Sequence, residues 1–193
     1  IFAAFTAKGE QNQTRAVQAP WPRARIFAAV RNGGLGNGRG HDLPTFTEGA
    51  FSDRFPFAHL RLSDDGFPVR AQVTGWSPFV PGDADVSSLP MAGLEYSFKN
   101  TQDTPVDGVF YFHSVNFLRA DDNARVLPIE NGFILDQPET DADFHARAAL
   151  CVQLDCSASV DTAWYRGSCF DHYTMLWNNM RAGRYENRPF RPE

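Results

Sequence analysis

The sequence is poor in lysine, in cysteine and in long apolar runs, and each shortage excludes a class of protein. Lys8 and Lys99 are the only lysines, and the 193 residues carry a net charge of -5, the wrong sign for a nucleic-acid-binding surface. The apolar runs span a few residues, far below the ~20 that cross a bilayer. No charged region followed by an apolar region opens the chain, so we expect no signal peptide, no transmembrane segment and a cytoplasmic location.

Three cysteines are too few, and odd in number, for a disulfide scaffold. We predict that Cys151, Cys156 and Cys169 are small buried side chains. A zinc site is the alternative, because His145 and His172 lie in the same segment. The alternation of apolar residues around Cys151 predicts a strand, which would place Cys151 and Cys156 on opposite faces. We therefore expect neither a metal nor a cofactor.

Alternating apolar and polar residues predict that most of the middle of the chain forms strands. The pattern is clearest over residues 69–76, 94–98 and 148–154. Residues 109–117 are apolar on both faces, which predicts a central strand covered on both sides. Clusters of turn-forming residues separate these segments. We predict an all-β fold, an antiparallel β-sandwich that forms a single domain over residues 1–193.

One short helix is predicted near the end of the chain. Four apolar residues recur at helical spacing and form one stripe: Tyr173, Leu176, Trp177 and Met180. Asp171 is the expected N-cap, and Gly183 is the expected residue after the C-cap.

The first residues, Ile1–Thr6, are a strand-like apolar run rather than a polar lead-in. Because free chain ends usually fray, we expect that residues are missing upstream and that the chain is a piece of a larger domain. Such a piece would expose apolar surface, so we also expect self-association through that surface.

No segment matches a catalytic template. The glycine-rich residues 31–40 fit neither phosphate-loop spacing. Gly167-Ser168-Cys169 lacks the second glycine of a nucleophile elbow. A glycosidase needs two carboxylates, but sequence spacing cannot select a pair among 23 acidic residues. We assign no catalytic residue.

The segment Pro81–Pro90 is the densest group of polar residues. Asp83, Asp85 and Ser87 alternate there, and in an extended loop their oxygens could converge on calcium. The glycine and the distal glutamate of an EF-hand loop are missing. We favour an ordered turn that is held by aspartate and serine side-chain hydrogen bonds.

Several segments together resemble the N-terminal domain of the non-lysosomal glucosylceramidase type of β-glucosidase, glycoside hydrolase family 116. The longest is Gly75-Trp-Ser-Pro-Phe-Val-Pro-Gly-Asp-Ala-Asp-Val-Ser-Ser-Leu-Pro90. The others are residues 15–18, 55–62, 67–69, 94–96 with Asn100, and 177–184, where Met180 replaces an aromatic residue of the family pattern.

This resemblance implies a large antiparallel β-sandwich whose partner is a C-terminal (α/α) helical barrel in the same protein. In the family, that barrel carries the catalytic carboxylates of a retaining glycosidase, so the chain alone is expected to be inactive. The irregular loop that begins at Trp76 would reach the barrel or the rim of its glucoside pocket. Trp76 and Phe79 are the expected contacts, with packing in the core of the domain as the alternative. Asp83, Asp85 and Ser87 would orient the loop or bridge to the partner.

A stand-alone carbohydrate-binding or interaction module is the alternative function. β-Sandwiches often present aromatic side chains to sugars, and four tryptophans are available if they are exposed: Trp21, Trp76, Trp164 and Trp177. Fold alone does not separate these possibilities.

Overall fold

The computed structural model describes residues 1–22, 43–140, 147–162 and 172–185. Ten strands and two short helices lie in these ranges. In chain order they are β1 (Phe2–Ala7), β2 (Gln13–Ala16), β3 (Glu48–Arg54), β4 (Phe57–Ser63), β5 (Val69–Trp76), α1 (Ala84–Ser87), β6 (Gly93–Asn100), β7 (Gly108–His113), β8 (Arg125–Ile129), β9 (Gly132–Gln137), β10 (Ala148–Gln153) and α2 (His172–Arg181). The glycine-rich segment 31–40, the segment 167–169, His145, Trp164 and Asp171 lie outside the described residues.

The chain divides into two compact units, Ala3–Tyr111 and Ile1–Phe2 with Phe112–Glu193. In the first unit, a three-stranded sheet of order β2-β1-β7 faces a four-stranded sheet of order β3-β4-β5-β6. Aromatic rings join the two sheets: Phe5 stacks on Phe98 at 4.5 Å between ring centroids, and Phe98 contacts Phe110 at 5.4 Å. The predicted all-β antiparallel sandwich is therefore confirmed.

Strand β5 shows why the alternation was a reliable signal. Val69 and Ala71 are buried while Arg70 between them is exposed, so one face of the strand is covered by the core. The buried apolar cluster of the first unit consists of Ala7, Phe46, Leu62, Phe67, Val69 and Ala71.

A partly buried ion pair connects β2 with the turn between β4 and β5. Arg15 donates from Nε to Oδ2 of Asp64 at 2.7 Å, and its guanidinium lies 5.1 Å from the ring centroid of Phe67. The other carboxylate oxygen of Asp64 accepts the N–H of Gly66 at 2.8 Å. Arg15 and Phe67 belong to two separate segments of the family resemblance, and this contact links those two segments in the folded domain.

The second unit contains an antiparallel sheet of order β10-β9-β8. A two-residue turn, Glu130-Asn131, joins β8 to β9, and Asn131 adopts a left-handed φ of 55°. A Cβ on Gly132 would collide with the carbonyl oxygen of Val152 on β10, so this position requires glycine.

A fully buried glutamine, Gln137, holds the loop before β8 in place. Its Oε1 accepts the N–H of Ala120 at 2.8 Å, and its Nε2 donates to Oδ1 of Asp121 and to the carbonyl oxygen of Pro138, both at 2.9 Å. The bond from Gln137, aided by those from Asn123, holds the pKa of Asp121 below its ordinary value.

The predicted C-terminal helix is confirmed as α2. Trp177 and Met180 are buried and Tyr173 is half-buried, as the apolar stripe requires. Gly183 has a φ of 65° and donates to the carbonyl oxygen of Met180 at 2.9 Å, while Arg184 donates to that of Asn179 at 3.0 Å. This is the expected glycine termination of a helix.

Two sequence-based predictions are wrong. Strand β7 ends at His113 rather than Phe117, and it occupies an end position in its sheet. The strand stops because Asn116 turns the chain: its Oδ1 accepts the N–H of Leu118 at 3.1 Å, and its Nδ2 donates to the carbonyl oxygen of Arg125 at 3.0 Å. Cys151 and Cys156 are exposed rather than buried.

The cysteines are exposed because of where they lie. Cys151 is on β10, at one end of the strand order, and Cys156 follows that strand in an irregular segment.

Candidate functional site

At one end of the four-stranded sheet, the register brings aromatic residues of neighbouring strands together. Phe57 on β4 lies opposite Trp76 on β5, and Trp76 lies opposite Gly93 on β6. Directly opposed residues of antiparallel strands project from the same face. The indole of Trp76 occupies the space that a Cβ on Gly93 would need, so the absent side chain lets the ring lie against β6. Trp76 nevertheless remains 38% exposed.

The loop after β5 adds a further ring to this end of the sheet. Phe79 contacts Phe55 in an edge-to-face arrangement, with 4.7 Å between the ring centroids. Phe55 precedes β4 and is 72% exposed. Leu94, at the start of β6, lies opposite Gly75 and therefore projects from the other face of the sheet. We call four residues the exposed aromatic patch: Phe55, Phe57, Trp76 and Phe79.

The exposed aromatic patch is large for a surface feature. From the exposed fractions of its members, which run from 38% for Trp76 to 72% for Phe55, it presents roughly 400 Å² of apolar side chain. Patches of this size lie at the upper end of what monomeric proteins expose, and they mark interaction sites.

A single-turn helix, α1, shapes the loop that carries Phe79. Asp83 is its N-cap, and its Oδ1 accepts the N–H of Val86 at 2.9 Å. Ser87 Oγ both accepts the N–H of Val80 and donates to the carbonyl oxygen of Val80, each at 3.1 Å. The expectation of an ordered turn held by aspartate and serine side chains is confirmed.

The calcium alternative required an extended backbone over residues 83–87, whereas residues 84–87 form a helical turn. Within the described ranges, no group of three or more His, Cys, Asp or Glu side chains lies close enough to hold a metal ion. Asp85 lies in the first turn of α1 and is exposed, while Asp83 and Ser87 form the hydrogen bonds that set the loop.

Polar side chains continue the patch along the same face of the sheet. His59 shares a hydrogen bond between Nδ1 and Oγ1 of Thr74 at 3.2 Å, and Gln72 donates from Nε2 to that oxygen at 3.3 Å. The ring of His59 lies parallel to that of Phe57, with 6.4 Å between the centroids. This arrangement can contact a protein surface or the face of a sugar ring.

The surroundings of Asp121 act on its pKa in the direction opposite to that expected of a glycosidase's general acid. A glycosidase raises the pKa of its general acid by burial or by a neighbouring carboxylate. Asp121 shifts in the opposite direction, because its hydrogen bonds favour the charged carboxylate. The exposed aromatic patch itself consists of hydrocarbon and one indole, which provide contact rather than proton transfer.

Sequence reasoning identified Trp76 and Phe79 but missed Phe55 and Phe57 as parts of the same surface. The register that places Phe57 opposite Trp76 cannot be read from the sequence. The Phe55-Pro56-Phe57 string was the available signal, because two aromatic residues around a proline predict a turn with exposed rings. Among the tryptophans considered for sugar binding, Trp177 is buried and Trp21 is half-buried.

The antiparallel sheets, with exposed aromatic residues at one sheet end, place the chain among the all-β sandwich domains. Residues 2–181 match the family model described as β-glucosidase 2, glycosyl-hydrolase family 116 N-terminal. The chain therefore belongs to the N-terminal domain family of glycosyl-hydrolase family 116. No curated protein matches the chain. Neither α1 nor α2, the helices of the described ranges, has the length and apolar content of a membrane span.

Proposed function

We propose that this chain is a non-catalytic N-terminal domain of a β-glucosidase or glucosylceramidase, and that it scaffolds a C-terminal (α/α) catalytic barrel in the same protein. The family match supports the placement in a glycoside hydrolase. The exposed aromatic patch is the observation that supports the scaffolding role, because roughly 400 Å² of apolar surface is stabilised when a partner covers it.

In this proposal, Trp76 and Phe79 pack against the barrel. Asp83 and Ser87 act through the loop, since their hydrogen bonds hold Phe79 beside Phe55. Asp85 is exposed at the start of α1 and bridges to a basic group of the barrel. The catalytic carboxylates belong to the barrel.

The first test is the intact mass of the native gene product in its source cells, together with hydrolysis of an aryl β-glucoside. We expect a mass several-fold above that of the 193 residues, hydrolysis by the whole product, and none by the chain alone. A native product no larger than this chain would refute the scaffolding role.

The second test replaces Phe79 with serine in the whole gene product. We expect a lower melting temperature and looser association of the domains, measured by limited proteolysis, with no change in the melting of the isolated chain. Phe117→Ser is the matched control, because Phe117 is also about half exposed but lies outside the patch, in the second unit. Equal effects of the two substitutions would contradict the proposed interface.

The third test separates the loop from the chemistry. Asp83→Ala removes the N-cap bond and is expected to destabilise the loop by about 1 kcal/mol. Asp85→Ala is the control, because Asp85 does not cap the helix. A whole product that carries both substitutions should keep turnover once it is folded. Abolished turnover at unchanged stability would show that these carboxylates act in the reaction.

A carbohydrate-binding module is a second candidate function, favoured by the exposure of Trp76 beside Phe57 and the polar pair His59–Thr74. Titration with cellobiose should then shift the tryptophan fluorescence of the chain, and Trp76→Phe should remove the shift. An unchanged spectrum at saturating sugar favours scaffolding.

A further inference from the structure

The four-stranded sheet of the first unit ends at β3 (Glu48–Arg54), which pairs with β4 alone among the described residues. All seven of its residues are exposed. All seven also pair with β4 in one unbroken register, so that no bulge interrupts the strand. Its sequence contains neither proline nor lysine, the residues with which natural sheets protect their edges. The outer side of β3 is therefore a straight row of backbone donors and acceptors.

Strand β3 is complementary in charge to an antiparallel copy of itself. When the two copies are centred on Phe51, Glu48 of one lies opposite Arg54 of the other at both ends of the pair. Glu48 and Arg54 are six residues apart and project from the same face, as this pairing requires. Opposite charges in directly opposed positions stabilise strand pairs.

Other registers lose this complementarity. A two-fold axis perpendicular to the sheet pairs only residues that project from the same face. Moving that axis by one residue therefore shifts the register between the two strands by two residues. If the pair of strands were centred on Ala50, Glu48 would lie opposite Ser52. If it were centred on Ser52, Arg54 would lie opposite Ala50. The charges thus select Phe51 as the centre of the pair.

Phe51 adds an apolar contact at that centre. Its side chain is 68% exposed, although it projects from the face of the sheet that carries the core. In the paired form, it would lie opposite Phe51 of the second copy, and opposed aromatic residues are a favourable cross-strand pair.

Strand β6 forms the other end of the same sheet and offers a comparison. Centred on Ser97, it would also bring Glu95 opposite Lys99. Its centre is then a serine, which gains no apolar contact, and Lys99 is the kind of residue that discourages edge pairing. The exposed phenylalanine and the absence of lysine favour β3.

We propose that β3 is a homodimer interface, in which a second copy of this chain adds its own β3 antiparallel about Phe51. The two four-stranded sheets then become one continuous sheet across a two-fold axis. The dimer uses the open backbone edge of β3, whereas the scaffolding role uses the rings of the exposed aromatic patch, and Arg54 lies opposite Phe57 where the two adjoin. Because sedimentation of the chain alone measures the dimer and the tests on the whole gene product measure the scaffolding, the two proposals can fail independently.

Charge exchange on the intact chain tests the register. Glu48→Lys places two cations opposite each other in the dimer, and Arg54→Glu places two anions opposite each other. Each substitution alone should weaken dimerisation by roughly tenfold, measured by sedimentation velocity over a range of concentrations. The double variant, or a mixture of the two single variants, should restore it, because the opposed charges are again unlike.

Glu95→Lys is the matched control on β6 and should leave the dimer unchanged. Circular dichroism checks the fold of every variant. A chain that stays monomeric at all concentrations overturns the proposal. Self-association that is unchanged by the charge exchanges at β3, or that weakens equally with Glu95→Lys, also overturns it.

Disulfide trapping tests the position of the axis, in a chain whose three native cysteines are serine. Opposed Cα atoms lie about 4.5–5.5 Å apart, within disulfide reach, so Phe51→Cys should cross-link rapidly under mild oxidation. Ala50→Cys is the control, because its own copy lies diagonally at about 7–8 Å. Cross-linking of Ala50→Cys as fast as that of Phe51→Cys would exclude this register.

Discussion

The ion pair between Arg15 and Asp64 is expected to stabilise the first unit much more than an exposed pair of the same type. The Asp64 side chain is 6% exposed and that of Arg15 22%, and Nε lies 2.7 Å from Oδ2. Removing one partner of a fully buried pair costs about 3–5 kcal/mol, because the other charge is left without compensation. Surface pairs contribute about 0–1 kcal/mol. Since Arg15 retains some contact with water, we expect an intermediate coupling of about 2 kcal/mol.

A double-mutant cycle measures this coupling without counting lost packing. Arg15→Met keeps an unbranched side chain over Phe67, and Asp64→Asn keeps an oxygen that can accept the N–H of Gly66. Urea unfolding of the wild type, the two single variants and the double variant gives the interaction free energy. Both single substitutions should destabilise the protein, and the second should cost little once the first has been made.

The pair Arg119–Asp122 is the control for this cycle. Its side chains are 60% and 96% exposed, so Arg119→Met and Asp122→Asn should couple by no more than about 0.5 kcal/mol. If the coupling at Arg15–Asp64 does not exceed that of the control, then burial does not strengthen this ion pair and the reasoning is refuted.

Three further predictions concern pH and the exposed aromatic patch. Burial raises the pKa of Tyr96 above 10.0, so stability should be complete below pH 10 and fall as the pH rises further; Tyr96→Phe should remove that fall in alkaline melting curves. The bond from Gln137 holds the pKa of Asp121 below 3.8, so its stabilisation is present above that pH and lost as the pH falls through the lower folded value; Asp121→Asn should flatten this acid limb. Gly93→Ala should displace the partly exposed indole of Trp76, which shifts tryptophan emission to the red at a stability cost of about 1 kcal/mol, and unchanged emission would contradict the contact.

The strands that the sequence predicted are those with one buried face. Strand β5 runs over Val69–Trp76, the predicted residues, because burial of alternate side chains leaves a period of two in the sequence. Strand β3 was missed for the opposite reason: none of its residues is buried, so no alternation is required. Strand β8 was not predicted because it contains Pro128, and a proline within an apolar segment argues against a strand. The Asn131-Gly132 dipeptide was the overlooked signal for the hairpin that follows.

The errors have one physical cause, which is that composition does not report the position of a strand in its sheet. The apolar residues 109–117 read as a central strand, but β7 lies at the end of its sheet and its side chains are mostly half-buried. Cysteine is usually buried, but Cys151 lies on β10, another end strand, and is exposed. Strand order is a property of the tertiary structure, because it depends on which strands pair with each other in the folded chain.

The same dependence on tertiary structure explains why the candidate site was only partly predictable. Trp76 and Phe79 are near each other in the sequence and stand in the longest segment of the family resemblance, so they could be selected directly. Phe57 joins them only because β4 pairs with β5 in one particular register, and Phe55 only because its ring meets that of Phe79. A slip of one residue between β4 and β5 would move Phe57 to the core face and dissolve the patch. The buried face of β4 prevents that slip, since Leu62 would otherwise leave the core. The core thus specifies the exposed surface: the residues that fix the register are buried, and those that the register brings together are free to contact a partner.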